Sequence, residues 1–320
     1  MDAVAGLLDG PRARGAFLLR STLQPPWCLR IEDEAPLAVM AVVQGAATLI
    51  PDGQAPVTLQ PGELALARGP APYTVADAPG TPPQAIIKPG QVCTLPNGQD
   101  VKLMDFLGTR TWGNAAEGDT ILLTGVYESA GEISTRLLKA LAPLIVQPLQ
   151  TPLIGLLEEE IVKDQPGQEA VLDRLLDLLL IAALRAYFAR PEAEAPGWYR
   201  ATSDPIVGPA LKLIHDDPRH QWTVEELASR AAVSRAAFAR RFNDLVGEPP
   251  MRFLTGWRIA LAADLLLEPG ATIASVADRV GYGSPFALST AFKRIRGLSP
   301  QQHRKRERAP AGRPLEAAKR

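Results

Sequence analysis

Short apolar runs separated by turn residues characterise the chain from about residue 20 to residue 127. Runs at 38–43, 46–50 and 121–123 have the length of β-strands. Between them lie Pro- and Gly-containing turns such as Pro51-Asp52-Gly53 and Pro96-Asn97-Gly98. Several short strands at this spacing predict a β-sandwich or barrel over about residues 20–127, with a loop at 108–118.

Beyond Ile133 the hydrophobic period becomes helical, and it is strongest over 169–190. Residues 191–196 resemble a linker, and a helical pattern then fills about 205–308. We therefore expect an α+β protein with two folded domains. A β-barrel covers 1–132, a helical dimerisation or linker region covers 133–200, an all-α domain covers 201–308, and a disordered tail covers 309–320.

The all-α segment contains an internal repeat with an offset of 50 residues. The matching pairs are Ser234 and Ser284, Phe238 and Leu288, Phe242 and Phe292, Leu245 and Ile295, Gly247 and Gly297, and Pro250 and Pro300. Each copy reads as two short helices joined by a tight turn, which is the layout of a helix-turn-helix. One apolar helix over 252–268 would join the two copies.

Capping residues mark where these helices begin. Thr223 followed by Glu226 predicts a capping box. Ser234 and Ser284 are the expected N-caps of the second helix in each copy, and Pro285 suits the first helical position. In a helix-turn-helix the second helix enters the major groove of DNA.

Helical geometry identifies the outward side of each second helix. The candidate DNA-binding residues are Arg235, Ala236, Ala239, Arg240, Asn243, Ser284, Phe286, Ser289, Thr290 and Lys293. Arg240 has the chemistry to bond a guanine edge, and Lys293 that to bind phosphate. Ala236 and Phe286 can only make apolar contacts, for instance to a thymine methyl. The alternative is that these charges are ordinary solvated side chains, but two capped copies in one register favour DNA.

Charge is distributed unevenly along a chain of 320 residues with net charge −1. Residues 204–320 hold 19 Lys and Arg against 12 Asp and Glu, whereas the preceding 203 residues hold 15 against 23. A basic C-terminal third fits a polyanionic partner for that domain. No apolar run approaches the length of a membrane span and no signal-peptide pattern opens the chain, so we expect a cytoplasmic protein with no membrane partner.

Residues 206–304 resemble the AraC/XylS family of transcription regulators. The most specific match runs from Val276 to Tyr282 and from Ser284 to Ser289, and it ends with Gly297 and Ser299-Pro300. Thr290 and His303 depart from the family pattern, in which Arg and Tyr are usual. The resemblance implies a double helix-turn-helix domain that binds double-stranded promoter or operator DNA.

The N-terminal half is similar to the cupin sensor domain of one AraC-type subfamily. The match includes Pro26-Trp27, residues 42–45 and 59–64, and the stretch 67–72. Relatives often carry histidines where this chain has Met40 and Tyr73. Because no histidine precedes His215, we expect no His-based metal site in this domain and no cofactor.

Five residues of this half remain open to two interpretations. Trp27, Met40 and Tyr73 either line an effector pocket or belong to the core, which is the more common place for such side chains. Cys28 and Cys93 either sense oxidants, as exposed low-pKa thiols do, or are inert. Burial and inertness are the more frequent state of free cysteine.

The favoured hypothesis is a sequence-specific transcription regulator whose cupin-like domain senses a small molecule or a redox signal. We expect a homodimer with a contact in the region 137–190, and RNA polymerase is a further candidate partner. One alternative is a regulator that binds DNA without a ligand. The other, less favoured, is a cupin enzyme with a helical appendage, which lacks any nucleophile–base motif.

Overall fold

The computed structural model describes residues 16–99, 105–127, 138, 141–190 and 196–307. These residues form two compact units: an N-terminal unit with residues 16–99, 105–127 and 141–190, and a C-terminal unit with residues 196–307, to which residue 138 also belongs. Most of the expected linker, 191–195, and the expected tail, 309–320, lie outside the described residues. None of the helices that the structure describes combines the length and apolar character needed to cross a bilayer.

Two β-sheets form the N-terminal unit, as the pattern of short apolar runs predicted. The described strands are β1 Phe17–Leu23, β2 Cys28–Ile31, β3 Leu37–Gln44, β4 Ala47–Pro51, β5 Val57–Leu59, β6 Glu63–Arg68, β7 Tyr73–Ala76, β8 Ala85–Lys88, β9 Val92–Thr94, β10 Asp105–Gly108, β11 Thr111–Gly113, β12 Thr120–Tyr127 and β13 Leu144–Pro148. One sheet has the order β10-β11-β1-β12-β3-β6-β13, and the other has β5-β4-β7-β2-β8-β9.

Side chains from both sheets pack into one apolar core. Met40 on β3, Leu49 on β4 and Val75 on β7 are all buried in it. Trp27, which immediately precedes β2, is fully buried in the same core. Alternate residues of β3 point inward because successive side chains of a strand lie on opposite faces.

Two helices cover the outer face of the seven-stranded sheet: α1 Leu153–Ile161 and α2 Gln168–Phe188. The amide of Gln147 on β13 donates to the Ala183 carbonyl of α2 at 2.7 Å. The Tyr127 hydroxyl of β12 donates to the Leu176 carbonyl at 3.4 Å. The amphipathic helix predicted over 169–190 is confirmed, and its apolar stripe packs on the sheet.

Two expectations for this unit were wrong. The segment 133–200, expected to be helical, contains strand β13, which pairs antiparallel with β6. The stretch 108–118, expected to be a loop, contains β11, which pairs parallel with β1. Strands of three to five residues are too short to show a period, so only their pairing reveals them.

The C-terminal unit is helical throughout its described part. Its helices are α3 Gly197–Ala201, α4 Val207–Asp216, α5 Val224–Arg230, α6 Arg235–Val246, α7 Pro250–Leu265, α8 Ile273–Arg279, α9 Pro285–Arg296 and α10 Pro300–Glu307. Two separate apolar cores hold them together, one around α4, α5 and α6 and one around α8 and α9.

Helix α7 belongs to both cores of this unit. Phe253, Leu254 and Trp257 pack into the first core. Ile259 and Ala263, further along the same helix, pack into the second. The predicted single connecting helix is therefore confirmed. Because it packs into both cores, it connects the two copies rigidly.

Candidate nucleic-acid interface

The two helix pairs α5–α6 and α8–α9 repeat the same local geometry. Ser234 Oγ accepts a hydrogen bond from the Ala237 backbone N–H at 3.2 Å. Ser284 Oγ accepts one from the Ala287 backbone N–H at 3.1 Å. Each bond satisfies one of the N–H groups that the start of a helix leaves unpaired. Both predicted N-caps are confirmed, 50 residues apart.

The capping box predicted at Thr223 forms only in half. Thr223 Oγ1 accepts from the Glu226 backbone N–H at 3.1 Å. The Glu226 carboxylate instead contacts His220 Nε2 at 2.9 Å and Arg230 Nη2 at 3.3 Å. The reciprocal box lies in the second copy, between Thr272 and Ser275. The Glu226 side chain therefore points towards His220, ahead of the helix, and Arg230, in its last turn, rather than back to the N-cap.

The inward and outward sides of α6 and α9 agree with the helical period. Phe238, Phe242, Leu288 and Phe292 are fully buried. On the outward side, Arg235, Ala236, Arg240, Asn243, Phe286, Thr290 and Lys293 are exposed, and Ala239, Ser284 and Ser289 are partly buried. One pair of the repeat breaks the pattern, because Leu245 packs on the first core whereas Ile295 is 45% exposed. In the second copy Leu298, three residues beyond Ile295, packs on the core.

Several outward side chains already have a partner within the protein. Arg235 Nε lies 2.9 Å from Glu225 Oε1, and Ser289 Oγ donates to the Pro285 carbonyl at 2.8 Å. Arg240 and Lys293 form no ion pair with any residue in the described part of the chain. Their charges are therefore directed to solvent, and they are the two candidates best placed to meet an anion.

Arg241 was absent from the sequence-based candidates, although it lies beside Arg240. Its guanidinium binds both carboxylate oxygens of Asp204, with Nη2 2.6 Å from Oδ2. Asp204 also accepts from the backbone N–H groups of Ile206 and Val207 at the start of α4. These bonds hold the pKa of Asp204 down at about 2, with the Arg241 bond as the largest cause. Arg241 thus fixes α6 against α4.

A second set of contacts joins the two helix-turn-helix copies through residues 217–222, here named the bridging loop. Arg219 Nη2 lies 2.9 Å from Asp278 Oδ1 of α8. The Gln221 amide donates to the Gly281 carbonyl at 2.9 Å. From α7, Arg258 donates to the Pro218 carbonyl at 2.7 Å and to the His220 carbonyl at 2.8 Å. The orientation of one copy to the other therefore rests on this loop as well as on α7.

His303, which stands where the family usually has Tyr, is a packing residue. Its ring is 3% exposed and lies 5.5 Å from the Phe292 ring, centroid to centroid. Its Nε2 lies 3.2 Å from the Ala263 carbonyl oxygen of α7. The imidazole therefore fills the second core and bonds its backbone.

The N-terminal candidates lie in or beside the core between the sheets. Trp27 and Met40 are buried there, and Tyr73 packs against the same cluster. Tyr73 also lines a small cavity of about 40 Å³ beside Asp52 and Arg68. That volume holds a few water molecules. Trp27 and Met40 thus fit the core interpretation, whereas Tyr73 borders the cavity.

The arrangement of possible metal ligands can be checked among the residues that the structure describes. No group of three His, Cys, Asp or Glu side chains converges there. Met40 and Tyr73, where the cupin resemblance implies that histidine is frequent, lie in the apolar core and against it. A thioether and a phenol do not make the imidazole and carboxylate set that such a site uses.

The two cysteines lie in environments that disfavour the thiolate. Burial raises the pKa of the Cys28 thiol to about 11, and the same cause raises the pKa of Cys93 to about 11. Cys28 is fully buried and Cys93 partly so. Since the thiolate is the reactive form, both environments favour the inert alternative.

Comparison with known proteins agrees with this architecture. Residues 2–189 match the cupin family, and residues 227–306 match a helix-turn-helix domain family. An AraC-like transcription regulator of Streptomyces lividans is 33% identical over 319 residues, covering 97% of this chain and all of the relative. One from Streptomyces antibioticus is 34% identical over 321 residues, covering 95% and 99%.

Among solved structures, the DNA-binding domain of the global transcriptional factor AdpA, in complex with a target DNA, is 38% identical in sequence. The match covers 34% of this chain and all of that domain, with a TM-score of 0.32. The full-length relatives are transcription regulators rather than enzymes. The chain belongs to the AraC-like family of DNA-binding transcription regulators, with a cupin domain ahead of its helix-turn-helix domain.

Proposed function

We propose that this regulator recognises an operator sequence with the outward sides of α6 and α9. The observation that carries the proposal is Arg240, an exposed guanidinium without an ion pair in the described chain, on the Ser234-capped second helix of the first helix-turn-helix copy. Lys293 occupies the outward side of the second copy. Adjacent major grooves lie about 34 Å apart, so one subunit with two such helices can reach two of them.

The two cations are assigned different roles. A guanidinium can bond guanine O6 and N7 together, whereas an ammonium binds phosphate as a point charge. The Arg240→Ala variant should therefore lose discrimination at one base pair, by about 5- to 150-fold. Lys293→Ala should weaken binding to all sequences about equally and reduce the dependence of affinity on salt.

Electrophoretic shift with the full chain tests both variants. The probe is the duplex upstream of the protein's own gene, with point changes in that duplex and an unrelated duplex of equal length as controls. Arg252→Ala, which removes an exposed arginine of α7 that is not among the candidate DNA-binding residues, serves as the matched protein control. Equal loss of affinity for every duplex on Arg240→Ala would contradict the assignment of base reading to this residue.

For the cupin domain we propose recognition of a small molecule without a metal. The supporting feature is the cavity beside Tyr73, which is small and must widen to admit more than a few waters. Metabolite screening by thermal shift tests this, since a ligand at 100 times its Kd stabilises by about 3 kcal/mol. Loss of the shift on Tyr73→Ala, with Tyr127→Phe as control, would assign the cavity.

A regulator that acts without a ligand is the second candidate. What favours it is the filled interior, where Trp27 and Met40 occupy the space between the sheets. The two candidates separate in one experiment. A metabolite that changes operator affinity supports sensing, whereas unchanged affinity across the metabolites that pass the thermal screen supports ligand-independent action.

We propose a homodimer that uses the outer side of α1 and α2. Leu156, Val171 and Leu178 are 45–50% exposed there, and two-fold homodimers are the commonest oligomers. Light scattering on Leu178→Glu should report a monomer, whereas Val92→Glu, an equally apolar exposed site on β9, should leave the dimer intact. A monomeric wild-type chain would exclude this assembly.

Action on DNA places the protein in the cytoplasm under this proposal, with RNA polymerase as the further partner to be tested.

A further inference from the structure

Phe286 is the most exposed large apolar side chain among the described residues, with 81% of its surface open to solvent. Burying a phenylalanine side chain is among the larger favourable contributions that one residue makes to folding. Phe292, six residues further along the same helix, is fully buried in the second core. Phe286 therefore contributes nothing comparable to the fold.

The position of Phe286 on α9 gives its ring a defined direction. Ser284 is the N-cap and Pro285 the first helical residue, so Phe286 lies in the first turn. Thr290 and Lys293, four and seven residues further on, are exposed on the same side. In a helix-turn-helix the N-terminal residues of the second helix are those that contact base edges.

Only one group in the major groove matches this side chain. A phenyl ring has no hydrogen-bond donor or acceptor, so it cannot bond the N7, O6, O4, N4 or N6 atoms of the bases. The 5-methyl of thymine is the apolar group that the major groove displays. In the first copy the equivalent residue is Ala236, whose methyl offers a much smaller apolar surface.

Resting on the operator recognition proposed above, we infer that Phe286 is a specificity-determining residue that packs on a thymine methyl. The second copy then reads sequence mainly through apolar contact. Such a role also agrees with the internal bond of Ser289, whose hydroxyl donates to the Pro285 carbonyl rather than outward. Lys293, on the same side, supplies the phosphate contact that holds the ring in the groove.

Replacement of thymine by uracil tests this directly, because it removes the methyl and leaves the base pair unchanged. The full wild-type chain first selects duplexes from a random-sequence pool, and each thymine of a selected duplex is then replaced by deoxyuridine in turn. At one or two thymines in the half-site of α9, wild-type affinity should fall about fourfold, as expected for one methyl group. Phe286→Ala should bind the thymine and uracil duplexes equally.

Two further variants control the experiment. Phe286→Leu keeps an apolar side chain and should keep the thymine preference. Ile295→Ala removes an exposed apolar residue about 180° around the same helix and should keep the full wild-type dependence on the methyl. Since Phe286 is exposed, its removal should leave the thermal midpoint of unfolding almost unchanged.

The outcomes separate this inference from the proposal beneath it. A selected half-site without thymine, wild-type indifference to every uracil replacement, or an undiminished methyl dependence in Phe286→Ala overturns the role of Phe286. If that happens while Arg240→Ala relaxes specificity, operator recognition stands and only the inference falls. Loss of promoter activation in Phe286→Ala with unchanged, methyl-dependent binding would instead assign the ring to a protein partner. If the wild type enriches no sequence, both fall.

Discussion

The bond between Asp204 and Arg241 offers a quantitative test of how the first recognition helix is held. The carboxylate side chain is only 10% exposed, and it receives Arg241 Nε at 3.0–3.1 Å and Nη2 at 2.6 Å. It also accepts two backbone N–H groups at the start of α4. Replacing Asp204 with Asn keeps the shape and the capping oxygen but removes the charge.

The magnitude follows from the pKa of Asp204. The bonds lower it from 3.8 to about 2, and one pKa unit corresponds to 1.36 kcal/mol. Asp204→Asn should therefore lower the free energy of unfolding by about 2 kcal/mol at pH 7. Arg241, which is 48% exposed, remains solvated in the variant, so its unpaired charge adds little to this loss.

The pH dependence has a definite sign. Because the folded pKa lies below the unfolded one, the stabilisation is complete above about pH 5 and is lost as the pH falls through about 2. Urea unfolding of the full chain, followed by the helical circular dichroism signal, measures the wild-type-to-variant difference at pH 7 and at pH 3. That difference should be smaller at pH 3.

Asp244→Asn is the matched control, since Asp244 is an exposed carboxylate of α6. Removal of the Asp244 charge should change the free energy of unfolding by less than about 0.5 kcal/mol. The reasoning is refuted if the two variants unfold at the same urea concentration, or if the loss for Asp204→Asn grows as the pH falls.

Two other predictions concern the bridging loop and the thiols. Gly281 has φ +78°, and a Cβ there would lie 2.6 Å from the Arg219 carbonyl oxygen. Gly281→Ala should therefore lower the free energy of unfolding by about 1–3 kcal/mol and weaken operator binding. Thermal unfolding measures the first effect and gel shift the second. Gly283→Ala, whose added Cβ meets nothing within 4 Å, is the control, and equal behaviour of the two would contradict the role of the loop. Because burial raises the pKa of Cys28 to about 11, only about one thiol in a thousand is ionised at pH 8. A thiol reagent should therefore react slowly with the native protein, faster as the pH rises towards 11 and quickly after unfolding in urea, and rapid native labelling of Cys28 in a Cys93→Ala background would restore the oxidant-sensing hypothesis.

Features that depend on neighbours in sequence could be predicted. The N-caps at Ser234 and Ser284 involve an acceptor and a donor three residues apart. The residue types at these positions therefore predict the caps. The buried side of α6, with Phe238 and Phe242 one turn apart, follows from the helical period. The outward side is then what remains, which is why Arg240 and Lys293 could be named beforehand.

Features that depend on pairing between distant segments could not be predicted. β13 has a short apolar run like many others, and its partner β6 lies some 80 residues earlier. Glu226 satisfies the capping-box pattern, but His220 and Arg230 lie nearer to its carboxylate. In both cases the residue type permits several partners, and the surrounding packing selects one.

The amino-acid sequence alone determined the duplicated helical module, its caps and its solvent-facing residues, because each arises from contacts within one or two helical turns. The tertiary structure alone decided which of those residues are paired within the protein and which remain available for contacts outside it. It paired Arg241 with Asp204 and Arg235 with Glu225, and it left Arg240 and Phe286 facing solvent. Three-dimensional proximity sets these partners, since a charge or ring binds whatever the fold brings within a few ångströms.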